Sequence, residues 1–421
     1  MPLFLNVIHT CPPPIFALYG KLIYNKCLIY KGKLRFYAIP SALIYYYHGL
    51  FNMFTIKAKN SVLLGPLQFV TGIVERRHTL PILSNVLVEV TDHNINFLAT
   101  DLEVQIKASA KLDTAHKPGS LTVGAKKLQD ILRALPPEAD TALETKESRL
   151  TVKAGKSRFA LQTLAATDFP KIAEAKDAAI EFDMPQKEFK RALGLVQFAM
   201  AVQDIRYYLN GVLLTTDGNV LRLVATDGHR LSMASYRLPE PAAKIEAILP
   251  RKTVLELIKL LDESDDPIHV KMHQNQVKFN FAGIEIISKI VEGKFPDYTK
   301  VIPTGYTNHL TLNRVELLGA LQRASILSND KIRGVRLVFT KDSLSIICSN
   351  NENEEAEENL PIEYNKEAMD IAFNIAYLLD VLNHLENENV LISLGEANMS
   401  SALITQPGGE DFRYVVMPMR I

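Results

Sequence analysis

Three segments spaced evenly along the chain open in the same way, and this repeat restricts the available folds more than any single motif. Phe54-Thr-Ile-Lys, Phe182-Asp-Met-Pro and Leu310-Thr-Leu-Asn each begin a short strand that runs into an amphipathic helix, reaching Val70, Met200 and Ile326. Positions 54, 182 and 310 are separated by 128 residues, twice. An interval of that size is a whole domain, and 421 residues leave room for three.

The later elements of each copy also recur in one order. A strand pair comes second, at Leu83-Ser-Asn-Val-Leu-Val-Glu-Val, Leu209-Asn-Gly-Val-Leu-Leu and Ile332-Arg-Gly-Val-Arg-Leu. A second helix comes third. Leu128, Ile131, Leu132 and Leu135 share one helical face, as do Val254, Ile258 and Leu261, and Ile375, Leu378, Leu379 and Leu382. Strands close each copy, with Val277, Phe279 and Phe281 alternating with polar residues, and Leu150, Val152, Phe159 and Leu161 doing the same. Each copy therefore holds two helices and about eight strands, an α+β order. The boundaries read 53–176, 177–306 and 307–421.

Residues 1–52 do not share this pattern. They contain Lys21, Lys26, Lys31, Lys33 and Arg35 and no acid. Residues 37–56 carry no charge, a length that suits a bilayer, but Pro40, His48, Asn52 and Tyr45-Tyr46-Tyr47 make a poor lipid-facing helix. The expectation is that Met53 is the true start. Mass spectrometry of the native protein then finds an N-terminus near Met53, and abundant peptides from residues 1–35 refute it.

Lys plus Arg and Asp plus Glu each number 47, so removing the basic first segment leaves the rest acidic, at about −5. A protein that coats nucleic acid by charge is strongly basic. Any DNA contact here must be confined to one surface. Basic residues do gather at helix starts: Lys126 and Lys127, Lys187, Lys190 and Arg191, Arg251 and Lys252, and Arg314. Cations are disfavoured at a helix N-terminus, so their recurrence points to phosphate as the partner, with no means of reading base sequence. Cys11, Cys27 and Cys348 are too far apart in sequence to suggest a zinc or disulfide framework, and no metal or cofactor is expected. A reducing, cytoplasmic setting fits.

Several motifs together resemble the bacterial beta sliding clamp family. They are Thr79-Leu-Pro-Ile-Leu-Ser-Asn, Ala99-Thr-Asp-Leu-Glu, Asp204-Ile-Arg-Tyr-Tyr-Leu-Asn-Gly, Ala225-Thr-Asp-Gly-His-Arg-Leu, Gly293-Lys-Phe-Pro-Asp-Tyr, Ile326-Leu-Ser-Asn, Arg333-Gly-Val-Arg-Leu and Tyr414-Val-Val-Met-Pro-Met-Arg-Ile. The resemblance runs from Met53 to Ile421 and leaves residues 1–52 without a counterpart. It implies three DNA-clamp domains, each with two helices on antiparallel sheets, and a head-to-tail homodimer forming a six-domain ring. Such a ring encircles double-stranded DNA without sequence preference and is not an enzyme.

The resemblance also implies three sites. A pocket for short linear motifs of the polymerase III alpha subunit, the clamp loader, other polymerases and repair proteins falls on Leu209, Thr226, Gly228, His229, Arg230, Leu231, Pro296, Lys300, Val301, Asn374, Tyr377, Met399, Val415, Val416, Met417, Pro418, Met419 and Arg420. Peptides with Leu and Phe anchors suit its apolar lining. DNA contact falls on Arg77, Lys126, Arg133, Gln203, Tyr207, Tyr208, Arg251 and Lys252. The dimer contact falls on Lys156, Arg158, Phe159 and Leu161 of the first copy, against Ile326, Leu327, Glu354 and Glu355 of the third. Truncation after Arg413 is expected to remove the pocket and spare the ring. Two rival readings are an enzyme using Asp227 to orient His229 as a general base, and a monomeric peptide-binding adaptor without DNA.

Overall fold

A computed structural model describes residues 27–30, 33–36, 54–75, 80–146, 148–176, 180–329, 331–395 and 400–420. It divides into Met1–Met53 and Phe54–Ile421. In the first unit, Cys27–Tyr30 pairs antiparallel with Lys33–Phe36. No helix among the described residues is long and apolar enough to cross a membrane, while 37–53 lie outside them.

The second unit carries the repeat. Its helices are α1 (Asn60–Val70), α2 (Ala125–Ala134), α3 (Gln186–Gln197), α4 (Arg251–Leu260), α5 (Arg314–Ala324) and α6 (Ile375–His384). Each copy opens with a strand, Thr55–Lys59, Ile180–Pro185 or Asn308–Asn313, running directly into its first helix. The marker residues Phe54, Phe182 and Leu310 are all buried. The first and third copies have eight strands each among the described residues. The second reaches the same layout with two long strands, Gly211–Thr226 and Arg230–Pro250, whose pairing shifts register on either side of Gly218.

The starts of the first helices show how closely the copies match. Asn60, Gln186 and Arg314 occupy one position. The backbone N–H of each donates to a loop carbonyl at the far end of its domain: Ala139, Asp266 and Glu388. Their side chains close the C-terminal end of the second helix. Asn60 donates to the carbonyls of Leu132 and Leu135, Gln186 accepts from the Asp262 N–H, and Arg314 donates to the carbonyls of Leu382 and Asn387. The free carbonyls of a helix end need such partners.

This narrows the expectation of phosphate at the helix starts, since the first backbone N–H group of most of these helices and several of the cations there already have partners. The first N–H groups of α1, α3, α4, α5 and α6 are taken by protein carbonyls. Arg314 caps a helix, and Lys187, Lys190 and Arg191 pair with Asp265, Glu263 and Glu188.

Sheets cross both internal junctions. Ile284–Lys289 of the second copy pairs with Val104–Lys111 of the first, joining them in one twelve-stranded sheet. Phe412–Val416 of the third pairs with Arg230–Pro250 of the second in a six-stranded sheet. The final strand of one copy thus always adds to the same strand of the copy before it. Among the described residues, two strands lack the partner that this rule would give them. Glu355–Pro361 ends the four-stranded sheet, and Ser157–Gln162 pairs with Arg149–Ala154 alone.

Candidate functional site

The site begins with a tight turn. Asp227 Oδ1 accepts from the N–H groups of His229 and Arg230 at 2.9 and 3.0 Å, and the Thr226 hydroxyl donates to the Arg230 carbonyl at 2.6 Å. Gly228 sits at φ +89°, open to glycine and strained for other residues. The turn leads into Arg230–Pro250, which pairs with Phe412–Val416, so Leu231 and Val415 lie side by side. Met417 leaves that strand with its N–H on the His229 carbonyl at 2.9 Å.

A cavity of about 310 Å3 opens here. Buried Leu209, Leu231 and Val415 floor it, with Pro296 and the half-exposed Val301 and Met417 at its mouth. Thr226, Gly228, His229 and Arg230 complete the expected lining, so ten sequence-expected residues meet in one place. Of the others, Lys300 is exposed and pairs with Asp297 at 3.2 Å, and Asn374 caps α6 through the Ala376 N–H. Pro418, Met419 and Arg420 continue as the tail, with the Met419 N–H on the Ala372 carbonyl. Val416 is a correction. It is fully buried on the opposite face of the strand, in the main core, as alternation along a strand requires. Met399 lies outside the described residues.

Arg230 holds the floor together. Its guanidinium donates to Asp227 at 3.1 Å, to Asp380 at 2.6 Å and to the Phe198 carbonyl at 2.7 Å, and lies 4.3 Å from the Tyr377 ring centre. Burial opposes its charge, but Tyr414, Asp380 and Asp227 outweigh burial and raise its pKa. The Tyr414 hydroxyl donates to the Tyr377 carbonyl at 2.9 Å. Residues of the second and third copies are thus fastened beneath one cavity. Asp227 is committed to backbone and Arg230, not to the His229 ring, so the general-base arrangement is not formed.

Two lining residues escaped the sequence reading, Arg206 and Tyr298. Arg206 is held by both oxygens of Asp204, at 3.1 and 2.8 Å, and donates to the Asp227 carbonyl at 3.3 Å. That fork holds the Asp204 carboxyl at about 2. The motif Asp204-Ile-Arg contained the signal, since an acid two residues before an arginine in a turn suits such a pair.

Arg206 belongs to a loop of stiff geometry. Asp204 and Asn210 exchange two hydrogen bonds, and Gln203 sits at φ +55°. Val202, Ile205 and Tyr207 project from it, exposed, while Tyr208 packs on the pocket cluster. Of the cations expected at DNA, Lys126 and Arg133 are exposed on α2, with no ion pair among the described residues. Arg251 is half-buried at the start of α4. Lys252 departs from the expectation. It bridges Asp101 at 2.5 Å, Glu75 at 3.0 Å and the Ile73 carbonyl at 3.1 Å, binding the second copy to the first. Arg77 lies outside the described residues.

Around the two leftover strands, Lys156 and Arg158 are exposed and Phe159 and Leu161 half-buried. On the other edge, Glu354 and Glu355 are exposed, and Ile326 is 77% exposed in a turn, Ser325–Leu327, packed against Glu355–Pro361. Among the described residues no group of His, Cys, Asp and Glu has the arrangement of a metal site.

Three family models match in succession: the N-terminal domain of the DNA polymerase III beta subunit over residues 53–173, the central domain over 183–297 and the C-terminal domain over 299–420. The beta sliding clamp of Pseudomonas aeruginosa is 44% identical over 369 residues, covering 87% of this chain and all of the relative. That of Escherichia coli K12 is 43% identical over 368 residues, with the same coverage. A crystal structure of the Pseudomonas aeruginosa DnaN sliding clamp bound to griselimycin superposes with a TM-score of 0.85 at 43% identity, covering 88% of this chain and all of that one. The Caulobacter crescentus beta sliding clamp gives 0.83 at 33%, with the same coverage.

Proposed function

This chain belongs to the DNA polymerase III beta subunit family, the beta sliding clamps, and from that premise we propose how it works as a non-catalytic processivity factor of DNA replication. Two copies join head to tail into a ring around duplex DNA. The observation that carries this is the twice-repeated sheet junction and the two strands it leaves with an open edge. Each is the half that the other lacks, so a second copy supplies the third junction. An interface made of two different surfaces closes when rotation returns to the start, and six similar domains allow this.

The repeat also gives the register. At the first junction Ile284, Glu285 and Ile286 face Ala108, Lys107 and Ile106. Carried to the corresponding strands, Ser157, Arg158, Phe159 and Leu161 face Glu358 of the partner subunit, Glu357 of the partner subunit, Ala356 of the partner subunit and Glu354 of the partner subunit. The Glu285–Lys107 pair becomes Arg158–Glu357, with its charges exchanged. Lys156 meets the same acidic strand, and Ile326 and Leu327 cover the apolar side.

Once closed, the ring is held by topology, so DNA contacts stay few. Lys126, Arg133 and Arg251, with Gln203, Tyr207 and Tyr208 of the loop, face the hole. Such contacts bind phosphate without sequence preference and permit sliding. The 310 Å3 cavity takes apolar anchors of short linear motifs from the polymerase alpha subunit, the clamp loader, other polymerases and repair proteins, in the cytoplasm.

The test is retention by topology. Protein is loaded on nicked circular DNA by a clamp loader, and the circle is then cut. Retention on circles with loss from linear ends supports the ring. Retention that ignores the cut shows binding by surface charge alone and rules the ring out.

A further inference from the structure

The cavity does not end at Tyr298. Pro296 and Tyr298 also line a second groove, of about 580 Å3, on the same sheet face. Alternation along the strands makes the continuity plain. Val415 floors the cavity and Arg413, two residues earlier, lines the groove. Val224 lies in the cluster beneath the cavity and Arg222, two earlier, lines the groove. Leu213 and Met233 give the groove an apolar base.

The charges on its walls are unlike those of most of the second copy. Arg222, Lys244, Lys294 and Arg413 line it, and among the described residues none of them makes an ion pair or donates a side-chain hydrogen bond. Across the rest of the second copy lysines and arginines are mostly neutralised, as at Lys187, Lys190, Lys252, Lys271 and Lys278. Three acids share the groove. Asp297 is spent on Thr299 and Lys300, leaving Asp217 and Glu246 against these four cations. The groove therefore favours negative charge, on an apolar base, directly continuous with the cavity.

We infer that it receives the acidic flank of a partner peptide whose apolar anchor sits in the cavity, an inference that rests on the peptide-pocket reading above. The flank adds affinity and chooses among peptides with equal anchors, since unpaired cations penalise a basic neighbour.

The experiment uses the full-length protein and fluorescent synthetic peptides with Leu and Phe anchors. Two aspartates are placed before the anchor in one and after it in another, each matched by an asparagine twin. One acidic placement should outbind its twin by about fivefold at low ionic strength, since exposed ion pairs are individually weak, and salt should shrink the gain. The double variant Arg222→Ala, Lys294→Ala should erase the gain and leave the asparagine peptides unchanged. Equal affinity of both acidic peptides and their twins overturns the inference, as does a gain that survives the double variant. Binding of no peptide at all instead removes the pocket reading on which it stands.

Discussion

At the scale of single residues, Arg230 shows why the pocket is rigid. Its side chain is only 9% exposed and satisfies Asp227, Asp380 and a backbone carbonyl at once. Replacing it by alanine leaves the mostly buried Asp227 carboxylate its backbone N–H bonds but no counter-charge, and should cost about 2–4 kcal/mol. Arg230→Lys keeps the charge but loses the planar fork, so it should recover only part of this. Thermal unfolding of both variants, with peptide affinity measured alongside, checks the order. Arg206 behaves differently because its pair is exposed. Asp204 has its carboxyl lowered from 3.8 to about 2, so the Arg206 pairing is complete above the ordinary value and is lost as pH falls toward 2. Peptide affinity should therefore be insensitive to this pair between about pH 5 and 8. Asp204→Asn should weaken binding at all these values, and a titration near neutrality in the wild type that Asp204→Asn removes would contradict the assignment.

At the scale of elements, the turn before each junction strand accompanies an open cavity in the second copy and a covered cluster in the first. Thr100 and Asp101 repeat the bonds of Thr226 and Asp227 around Leu102, at φ +78° where the second copy has Gly228. There, Gln105 replaces Leu231 and accepts the Ile172 N–H, drawing the linker over a small cluster of Leu87, Leu98 and Phe169. At Gly228 a Cβ would stand 3.2 Å from the Arg206 guanidinium. Gly228→Ala should thus cost about 1–2 kcal/mol and loosen peptide binding, while Leu102→Gly should change stability by under about 1 kcal/mol; melting curves and peptide titrations of the two variants test this. The repeat and the helices were legible in the sequence because periodicity and motif order record burial directly, whereas the cavity residues were expected only through the family resemblance. Ion pairing was not legible there. Lys187 and Lys252 look alike at helix starts, and only folding shows that distant acids have claimed both. Strand parity also hid the difference between Val415, which lines the cavity, and Val416, which does not. The tail needed the structure too. Tyr414 is fully buried, so truncation after Arg413 would damage the core, and removal from Met417 onward is the cleaner cut.

At the scale of the whole molecule, the proposed ring closes through two identical junctions, so any change at one is felt twice. Ile326 is exposed in the single chain and Leu327 partly so. Burying such a side chain contributes about 1.5–3 kcal/mol, and the pair Ile326→Ala, Leu327→Ala should therefore yield monomers by light scattering. That result alone does not fix register, because an apolar patch tolerates sliding. Charge does. Arg158 and Glu357 face each other only if the third junction copies the first. Arg158→Glu should weaken the dimer modestly, since an exposed pair contributes about 0.2–1 kcal/mol, while adding like-charge repulsion. Glu357→Arg should do the same. Combining the two reversals within one chain restores the pairing in both junctions, and the dissociation constant from sedimentation should return toward wild type. Additive weakening in the double variant would mean that the edges meet in another register. Glu358, already held by the Arg323 fork at 2.9 and 2.6 Å, is the internal control. Its replacement by Gln should move the constant little, because its charge is satisfied within its own subunit.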